Sequence, residues 1–289
     1  DSICPIGLER SMDRADLPHE AITHRLDIAR SIALQAGEVT LRHFLTRQLS
    51  VERKPDDSPV TIADREAEQL LRREIQAHFP EDAILGEEFE DIEGRSGYRW
   101  ILDPIDGTKS FICGIPLYST LIGIEFDGAA VVGVIHLPAL REMVYAGRGQ
   151  SAWHVVGDAD PVPAKVSDRQ TLADGCFVMS QVDLFAEYDR QEAYHQLEQK
   201  AYITRSWGDG YGYLLVATGR IEVMVDPVMH IWDAAAIQPV MEEAGGTFTD
   251  WQGNPTFTSG EGIGTNGKVL DEVLAITQNY PRRTSPDPW

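Results

Sequence analysis

Apolar residues recur at helical spacing in the first part of the chain. Between about residues 20 and 48 they repeat every three or four positions, which predicts a long amphipathic helix. Residues 54–59 are rich in turn-forming residues. A second helix is predicted over residues 64–79, where Pro80 ends it. The N-terminal part of the chain is therefore predicted to hold two helices.

The period changes after these helices. Short runs rich in β-branched residues, separated by glycines and polar turns, predict strands at residues 83–85, 100–102, 121–125, 130–136 and 142–146. Further strands are predicted at residues 176–179, 201–205, 222–225 and 247–249, and further helices at residues 190–199, 211–218 and 234–244. This order indicates an α/β (α+β) chain with a second sheet covered by helices.

Length and composition limit the class of protein. The 289 residues are enough for one large domain or two closely packed lobes, and residues 1–20 and 279–289 are predicted to be flexible. A formal charge of −21 argues against nucleic-acid binding. No run of about 18 apolar residues predicts a membrane span. Three cysteines without paired spacing fit a reducing compartment, so we expect a cytoplasmic location, or a plastid one if a transit peptide has been removed.

Four short segments place acids at the ends of apolar runs. They are residues 60–64, 84–88, 100–108 and 231–236, and their acids include Asp64, Glu87, Asp103, Asp106 and Asp233. Carboxylates brought together in a cleft repel one another, and a hard cation with oxygen ligands resolves that conflict. These segments lack Cys and His, which favours magnesium over zinc or copper.

The third segment has features that suit an anion as well as a metal. A proline stiffens the backbone between Asp103 and Asp106, so that both carboxylates and the Ile105 carbonyl could face one point. Gly107 permits a tight turn that leaves the backbone N–H groups of Gly107 and Thr108 near an anion. A helix that starts close to Thr108 would add its positive end.

Plainer interpretations exist for each segment taken alone. Asp64 and Asp233 could be helix N-caps, the pair Glu87-Glu88 could be a surface turn, and residues 103–108 could be a simple turn with Pro and Gly. All of these would have to hold together to remove the site. They also leave unexplained why acids end several apolar runs.

At these residues the chain resembles the inositol monophosphatase family. The family's motifs stand here as Gly-Glu-Glu at 86–88, Asp-Pro-Ile-Asp-Gly-Thr at 103–108 and Trp-Asp before small residues at 232–236, in the family's order and separations. The resemblance covers roughly residues 22–278. It implies a five-layered αβαβα fold, usually as a homodimer, that cleaves small phosphate monoesters with two or three Mg²⁺ ions.

The resemblance also implies boundaries and residue roles. It implies a single catalytic domain over residues 21–278, with an N-terminal lobe of about 21–165 and a C-terminal lobe of about 166–278. The implied metal ligands are Glu87, Asp103, the Ile105 carbonyl, Asp106 and Asp233. The implied catalytic residues are Asp64 and Thr108, which would hold or deprotonate the attacking water, and Glu87; the supporting residues are Glu88 and, from the residues alone, Lys54.

Two further runs, residues 108–118 and 205–213, resemble the histidinol-phosphate phosphatase branch of the family. The residues assigned to substrate binding are Asp106, Gly107, Thr108, Arg205, Gly208, Asp209, Asp226 and Asp233. Histidinol phosphate is a cationic amino alcohol, so Asp209 and Asp226 could pair with its ammonium group.

Alternatives remain open for this substrate. Trp207 or Tyr211 could stack on the imidazole ring, but these aromatics could equally pack in the core while Asp209 caps the following helix. An inositol-1-phosphatase or a broad sugar-phosphate phosphatase is the alternative within the enzyme class. A catalytically silent metal-binding partner protein on the same fold is the alternative from another class.

Overall fold

The computed structural model describes residues 18–46, 51–53 and 59–281. Its helices are α1 (His19–His43), α2 (Ile62–His78), α3 (Thr108–Ile112), α4 (Val182–Glu187), α5 (Gln191–Lys200), α6 (Asp209–Ala217), α7 (Ile231–Glu243) and α8 (Leu270–Thr277). Its strands are β1 (Val51–Arg53), β2 (Pro59–Thr61), β3 (Ala83–Gly86), β4 (Tyr98–Asp106), β5 (Ser119–Phe126), β6 (Ala129–Leu137), β7 (Glu142–Gly147), β8 (Ala152–Val156), β9 (Val162–Pro163), β10 (Cys176–Val178), β11 (Ile203–Arg205), β12 (Val223–Asp226), β13 (Thr247–Thr249) and β14 (Gly262–Thr265).

Seven strands form the first large sheet, in the order β3-β4-β5-β6-β7-β8-β9. The pair β3 and β4 is parallel, and every following pair is antiparallel. Alternation along β4 sends Trp100 and Leu102 to the face that α1 and α2 cover, while Ile101 packs on the opposite face. The parallel pair brings the ends of β3 and β4 to the same edge of the sheet.

Five strands form the second sheet, in the order β11-β10-β12-β14-β13. Strand β10 runs parallel to β11 and β12, whereas β14 is antiparallel to both β12 and β13. Strand β12 therefore ends, at Asp226, on the edge where β10 leads into Ser180. That edge faces the site described below.

The helices separate the two sheets into layers. Helices α1 and α2 cover the outer face of the first sheet. Helices α6 and α7 lie between the sheets, where Leu214 and Val240 pack with Ile101 of one sheet and Met224 of the other. Helices α4, α5 and α8 cover the outer face of the second sheet. The order is helices, sheet, helices, sheet, helices, which confirms the predicted αβαβα architecture.

Several elements differ from the sequence expectation. The structure adds β1, β2, β8, β9 and β14 and the helices α4 and α8 to those predicted, and it starts α7 at Ile231, so that Asp233 lies in the first helical turn. His19 and Glu20 belong to α1, and Tyr280 packs edge-to-face on Trp251, although both ends were expected to be flexible. Lys54 and the remaining terminal residues lie outside the described residues. The lobe boundary near residue 165 stays a prediction.

Across the described segments, every helix is too short or too polar to cross a membrane.

Candidate active site

The end of β4 supplies two buried acids. Asp103 is 2% exposed and Asp106 is 7% exposed. In a regular strand, residues three apart point to opposite faces, but the pairing of β4 with β5 shifts between Asp103 and Asp106. That irregularity allows both carboxylates to serve one site. The Asp103 Oδ1 accepts a hydrogen bond from the Ile105 N–H at 3.0 Å, which fixes the backbone between them.

Asp233 completes a compact group of acids. One carboxylate oxygen each from Asp103, Asp106 and Asp233 lies within 4.8 Å of the other two. Asp233 reaches this position from the first turn of α7, where its Oδ2 accepts a hydrogen bond from the His230 N–H at 2.7 Å. The same side chain therefore both satisfies the start of a helix and faces the cluster.

Asp64 has the same double role on α2. Thr61 is the N-cap of α2, and the Asp64 Oδ2 accepts hydrogen bonds from the Thr61 N–H at 2.8 Å and the Thr61 hydroxyl at 2.5 Å. Asp64 is 1% exposed, and its charge contributes to the raised pKa of Asp103. The capping and functional interpretations of Asp64 are therefore compatible.

Glu87 reaches the cluster from the end of β3. Its backbone N–H donates to the Leu102 carbonyl of β4 at 3.3 Å. It lines the same cavity as Asp103 and Asp233. Its negative charge contributes to the raised pKa of Asp64, Asp103 and Asp233, so it lies near all three. The four predicted carboxylate segments are thus brought together.

Burial and like charge dominate the electrostatics of the cluster. Burial raises the pKa of Asp233 to about 8, and the pKa values of Asp103 and Asp106 lie well above their usual range for the same reason, with neighbouring carboxylates adding to the shift. Asp64 follows, with its pKa raised to about 6 by burial. A pocket of mutually repelling carboxylates is the arrangement that a bound cation stabilises.

The donor chemistry fits a hard divalent cation. All the candidate ligands are oxygens, from the carboxylates of Glu87, Asp103, Asp106 and Asp233 and from the Ile105 carbonyl. The Ile105 carbonyl accepts a hydrogen bond from the Thr108 hydroxyl at 3.0 Å. Oxygen-only donor sets suit Mg²⁺ or Ca²⁺ rather than zinc or copper. The cluster could therefore bind such a metal.

Asp106 is held by groups from the neighbouring strand β5 and from the start of α6. The Asp106 Oδ2 accepts hydrogen bonds from the Ser119 hydroxyl at 2.5 Å and from the Gly210 N–H at 2.6 Å. Gly210 lies in the first turn of α6, and a Cβ there would lie 2.3 Å from the Ser119 Oγ. This close approach joins the end of β4 to the start of α6.

The acidic cluster opens into a longer cavity. One part, of about 350 Å³, is lined by the metal-ligand candidates and residues 107–110, and an adjoining part of about 310 Å³ is lined by Asp209 and Asp226. Ser180 lines both parts and joins the two acids, because its hydroxyl accepts the Asp209 N–H at 2.8 Å and its own N–H donates to the Asp226 Oδ1 at 3.0 Å.

The structure orients Asp209 toward the site rather than along its own helix. Gly208 is the N-cap of α6, and the Asp209 Oδ2 lies 2.8 Å from the position that a Cβ on Gly107 would occupy. Gly107 itself has a φ of 81°, which a residue with a side chain adopts only with strain. The close contact and the turn both require glycine at this position.

Other predicted residues lie outside the cavity. Arg205 is exposed at the end of β11 and donates to the neighbouring Thr204 carbonyl at 2.7 Å. Trp207 is 39% exposed, and Tyr211 packs against the core between the sheets. Neither aromatic lines the cavity, and of the residues 205–211 only Asp209 and Gly210 do.

Several cavity residues were missed by the sequence analysis. They are Ser180, Gln181, Leu184, Tyr188, Val228 and His230. Ser119, which donates to Asp106, was missed as well. Ser180 carried a usable signal, since it follows a strand of the second sheet and strand ends of parallel sheets commonly form sites. Leu184 and Tyr188 carried none, because their placement depends on how the two sheets meet.

Comparison with known proteins shows the class of this chain, which is a phosphoric monoester hydrolase. The sequence profile of the inositol monophosphatase family matches residues 22–281, so the chain belongs to that family.

The most similar relatives agree on the branch of the family. The chain is 43% identical over 262 residues to the histidinol-phosphatase of Chlorobaculum parvum, covering 90% of this chain and 99% of that protein. It is 36% identical over 249 residues to the histidinol-phosphatase of Mycobacterium tuberculosis, covering 86% and 96%. The solved structure of the extragenic suppressor protein suhB from Bartonella henselae has a TM-score of 0.81 at 28% identity, covering 89% and 100%. The predicted resemblance and enzyme class are confirmed.

Proposed function

We propose that this phosphatase is magnesium-dependent and hydrolyses L-histidinol phosphate to L-histidinol and phosphate. The observation that carries the proposal is a pair of acids, Asp209 and Asp226, in the cavity that continues from the acidic cluster. The names of the similar histidinol-phosphatases support the same substrate. Asp209 lines both parts of this cavity, whereas Asp226 lines only the part that adjoins the acidic cluster.

The acids suit a cationic leaving group. Asp226 is 3% exposed, and burial raises its pKa to about 7; burial also raises the pKa of Asp209. A cation placed between them would favour their charged forms, and such charge-assisted hydrogen bonds are among the stronger polar contacts. A neutral polyol such as inositol would gain no ion pair there. This difference favours histidinol phosphate over inositol-1-phosphate.

Apolar and aromatic residues near these acids offer a surface for the ring. Leu184, Tyr188, Val228 and His230 line the same part of the cavity as Asp226. We assign ring contacts to this wall in place of Trp207 and Tyr211. A flat imidazole next to an aromatic face gains stacking energy while its ammonium group stays beside the acids.

The residues around the cluster would have different roles in the hydrolysis. Glu87, Asp103, Asp106, Asp233 and the Ile105 carbonyl would hold two or three Mg²⁺ ions, which when bound neutralise phosphate charge and acidify the attacking water. Asp64, whose pKa is raised to about 6, is suited to accept a proton from that water.

Backbone and hydroxyl groups would orient the phosphate and the water. Gly107 and Thr108 line the cavity beside the cluster, and their N–H groups would donate to phosphate oxygens. The Thr108 hydroxyl, held 3.0 Å from the Ile105 carbonyl, would orient the water. Glu88 stays assigned to support of Glu87. A supporting role for Lys54, a homodimer and a cytoplasmic location also remain parts of the proposal.

Phosphate release in the presence of Mg²⁺ tests the substrate assignment. We expect a strong preference for histidinol phosphate over inositol-1-phosphate. Asp209→Asn should lower kcat/KM for histidinol phosphate about 30-fold or more, because it breaks a buried ion pair worth about 2 kcal/mol or more. It should change the turnover of inositol-1-phosphate much less. Asp271→Asn, an exposed acid in the first turn of α8, is the matched control.

Two possible results would contradict different parts of this assignment. Equal or faster turnover of inositol-1-phosphate by the wild type would overturn the substrate assignment while leaving the phosphatase class intact. A loss of activity on both substrates in Asp209→Asn would show that Asp209 serves the reaction rather than the leaving group.

A further inference from the structure

A buried ion pair on α2 lies directly behind the loop that carries Glu87. Glu68 is fully buried, and Arg72, one turn later, is 8% exposed. The Arg72 Nε donates to the Glu68 Oε1 at 2.7 Å. A buried pair of this kind contributes little net stability, because the cost of removing both charges from water offsets their attraction.

Both members of the pair bind the backbone of residues 86–90. The Glu68 Oε2 accepts the Glu88 N–H at 2.8 Å. The Arg72 Nη1 and Nη2 donate to the carbonyls of Glu90 and Phe89 at 2.8 and 2.9 Å. Three backbone groups after Glu87 are thus held by two side chains that lie outside the acidic cluster.

The loop that carries Glu87 packs closely against this ion pair. A Cβ on Gly86 would lie 2.1 Å from the Glu68 Oε1, so the residue before Glu87 must be glycine for the loop to approach the pair. On the other side, the Glu87 N–H donates to the Leu102 carbonyl at 3.3 Å, one residue before Asp103. Glu87 is therefore held between the ion pair and β4.

We propose that Glu68 and Arg72 are positioning residues that hold Glu87 in place to bind the cation of the acidic cluster. Neither residue is a candidate ligand, and neither lines the cavity. Their contribution is to keep Glu87 in a metal-binding position before the cation arrives. Mutation of a residue that orients a metal ligand commonly lowers metal affinity by about 10-fold to 100-fold. The inference rests on the proposed metal dependence of the site.

The test is the affinity of the whole chain for Mg²⁺, measured by isothermal titration calorimetry after removal of metal with a chelator. We expect Glu68→Gln to weaken Mg²⁺ binding by about 10-fold or more. The Mg²⁺ concentration for half-maximal phosphatase activity should rise by a similar factor. Because Glu68 does not touch the reacting groups, kcat should largely recover at saturating Mg²⁺.

A conservative variant and a matched control separate positioning from general destabilisation. Arg72→Lys keeps the charge but loses the fork that reaches both carbonyls, so we expect a smaller weakening of Mg²⁺ binding. Glu222→Gln is the control, because Glu222 is also fully buried and accepts hydrogen bonds from an arginine, Arg169, and a backbone N–H, that of Cys176. It lies just before β12, whose other end faces the site, so its loss should lower Tm without changing Mg²⁺ affinity.

The outcomes are distinct. Glu68→Gln and Arg72→Lys proteins that fold and bind Mg²⁺ as tightly as the wild type would overturn the inference alone. If Glu68→Gln does not fold, the Mg²⁺ affinity of Arg72→Lys alone tests the inference. A wild type that binds no Mg²⁺ would overturn the proposed metal dependence and the inference with it. A drop in kcat that persists at saturating Mg²⁺ would also contradict a positioning role.

Discussion

Asp233→Asn should stabilise the metal-free protein while weakening its response to magnesium. The variant replaces an ionisable side chain with a neutral amide in a cluster in which one carboxylate oxygen each from Asp103, Asp106 and Asp233 lies within 4.8 Å of the others. It keeps an oxygen that can accept the His230 N–H, so the start of α7 keeps its hydrogen bond. The change therefore tests charge rather than packing.

The size of the effect follows from the pKa of Asp233. Burial raises this pKa from 3.8 to about 8, so at pH 7 the folded protein keeps the group protonated while the unfolded chain ionises it. The roughly 3 pH units between 3.8 and 7, at about 1.4 kcal/mol each, correspond to about 4 kcal/mol. A neutral Asn avoids this cost, so the metal-free variant should be up to about 4 kcal/mol more stable than the wild type at pH 7. At about 2 °C per kcal/mol, the Tm should rise by up to about 8 °C.

The sign of the pH dependence is fixed by the same shift. A group whose pKa is raised on folding binds more protons in the folded state, so stability falls as pH rises from about 4 to about 8. Metal-free wild type should therefore lose stability between pH 5.5 and pH 8. Asp233→Asn should lose less over that interval.

Thermal unfolding in a chelator and with increasing Mg²⁺ measures both effects. Wild type should gain stability as Mg²⁺ is added, whereas Asp233→Asn should respond weakly and lose most phosphatase activity. Asp271→Asn should behave as wild type, because it is exposed on α8. The reasoning is refuted if Asp233→Asn is no more stable than wild type in chelator and keeps the full Mg²⁺ response.

Two further substitutions probe other parts of the structure. Gly210→Ala should lower kcat at least about 10-fold with a small change in Tm. The added Cβ would lie 2.3 Å from the Ser119 Oγ and 2.9 Å from the Asp106 Oδ2. An unchanged kcat in steady-state kinetics would contradict this reasoning. His136 has its pKa lowered by burial from 6.5 to about 4, so it is neutral when folded, and its stabilising contribution is lost as pH falls below 6.5. Between pH 7 and pH 5 the wild type should lose about 2 kcal/mol relative to His136→Gln in urea unfolding, and parallel pH profiles would show that His136 protonates freely.

The acidic cluster could be predicted from sequence because its residues follow simple local rules. Asp103 and Asp106 end a run of apolar residues, and Glu87 ends the neighbouring parallel strand, so both arrive at one edge of one sheet. Asp64 and Asp233 each fall at the third position of a helix, where a carboxylate can satisfy backbone N–H groups. Charge, periodicity and capping all act within a few residues of each acid.

The parts that could not be predicted depend on contacts between distant segments. Strand β14 contains Gly262 and Gly264, which weaken a strand pattern, yet a Cβ on Gly264 would lie 2.8 Å from the Tyr213 ring. Those glycines serve close packing between layers rather than a turn. The sequence alone predicts Glu68 to be an ordinary acid on a helix, because its contact with Gly86 appears only in the structure. The cavity wall that includes Tyr188 exists only because the second sheet faces the first.

The capping role of the acids explains how the protein can tolerate their repulsion. Asp64 and Asp233 give one oxygen to the backbone at the start of α2 and α7, and Asp106 gives one to the Gly210 N–H of α6. Each bond offsets part of the cost of burial, because a hydrogen bond to a carboxylate favours its charged form. The helices that form the layers thereby fix the acids before any cation binds. Since the hydrogen bonds to Asp64 and Asp233 come from the N-cap residues of their own helices, Thr61 and His230, a helix that starts correctly also orients its acid. The site should therefore remain assembled in the metal-free protein, with the cation relieving charge rather than creating the geometry.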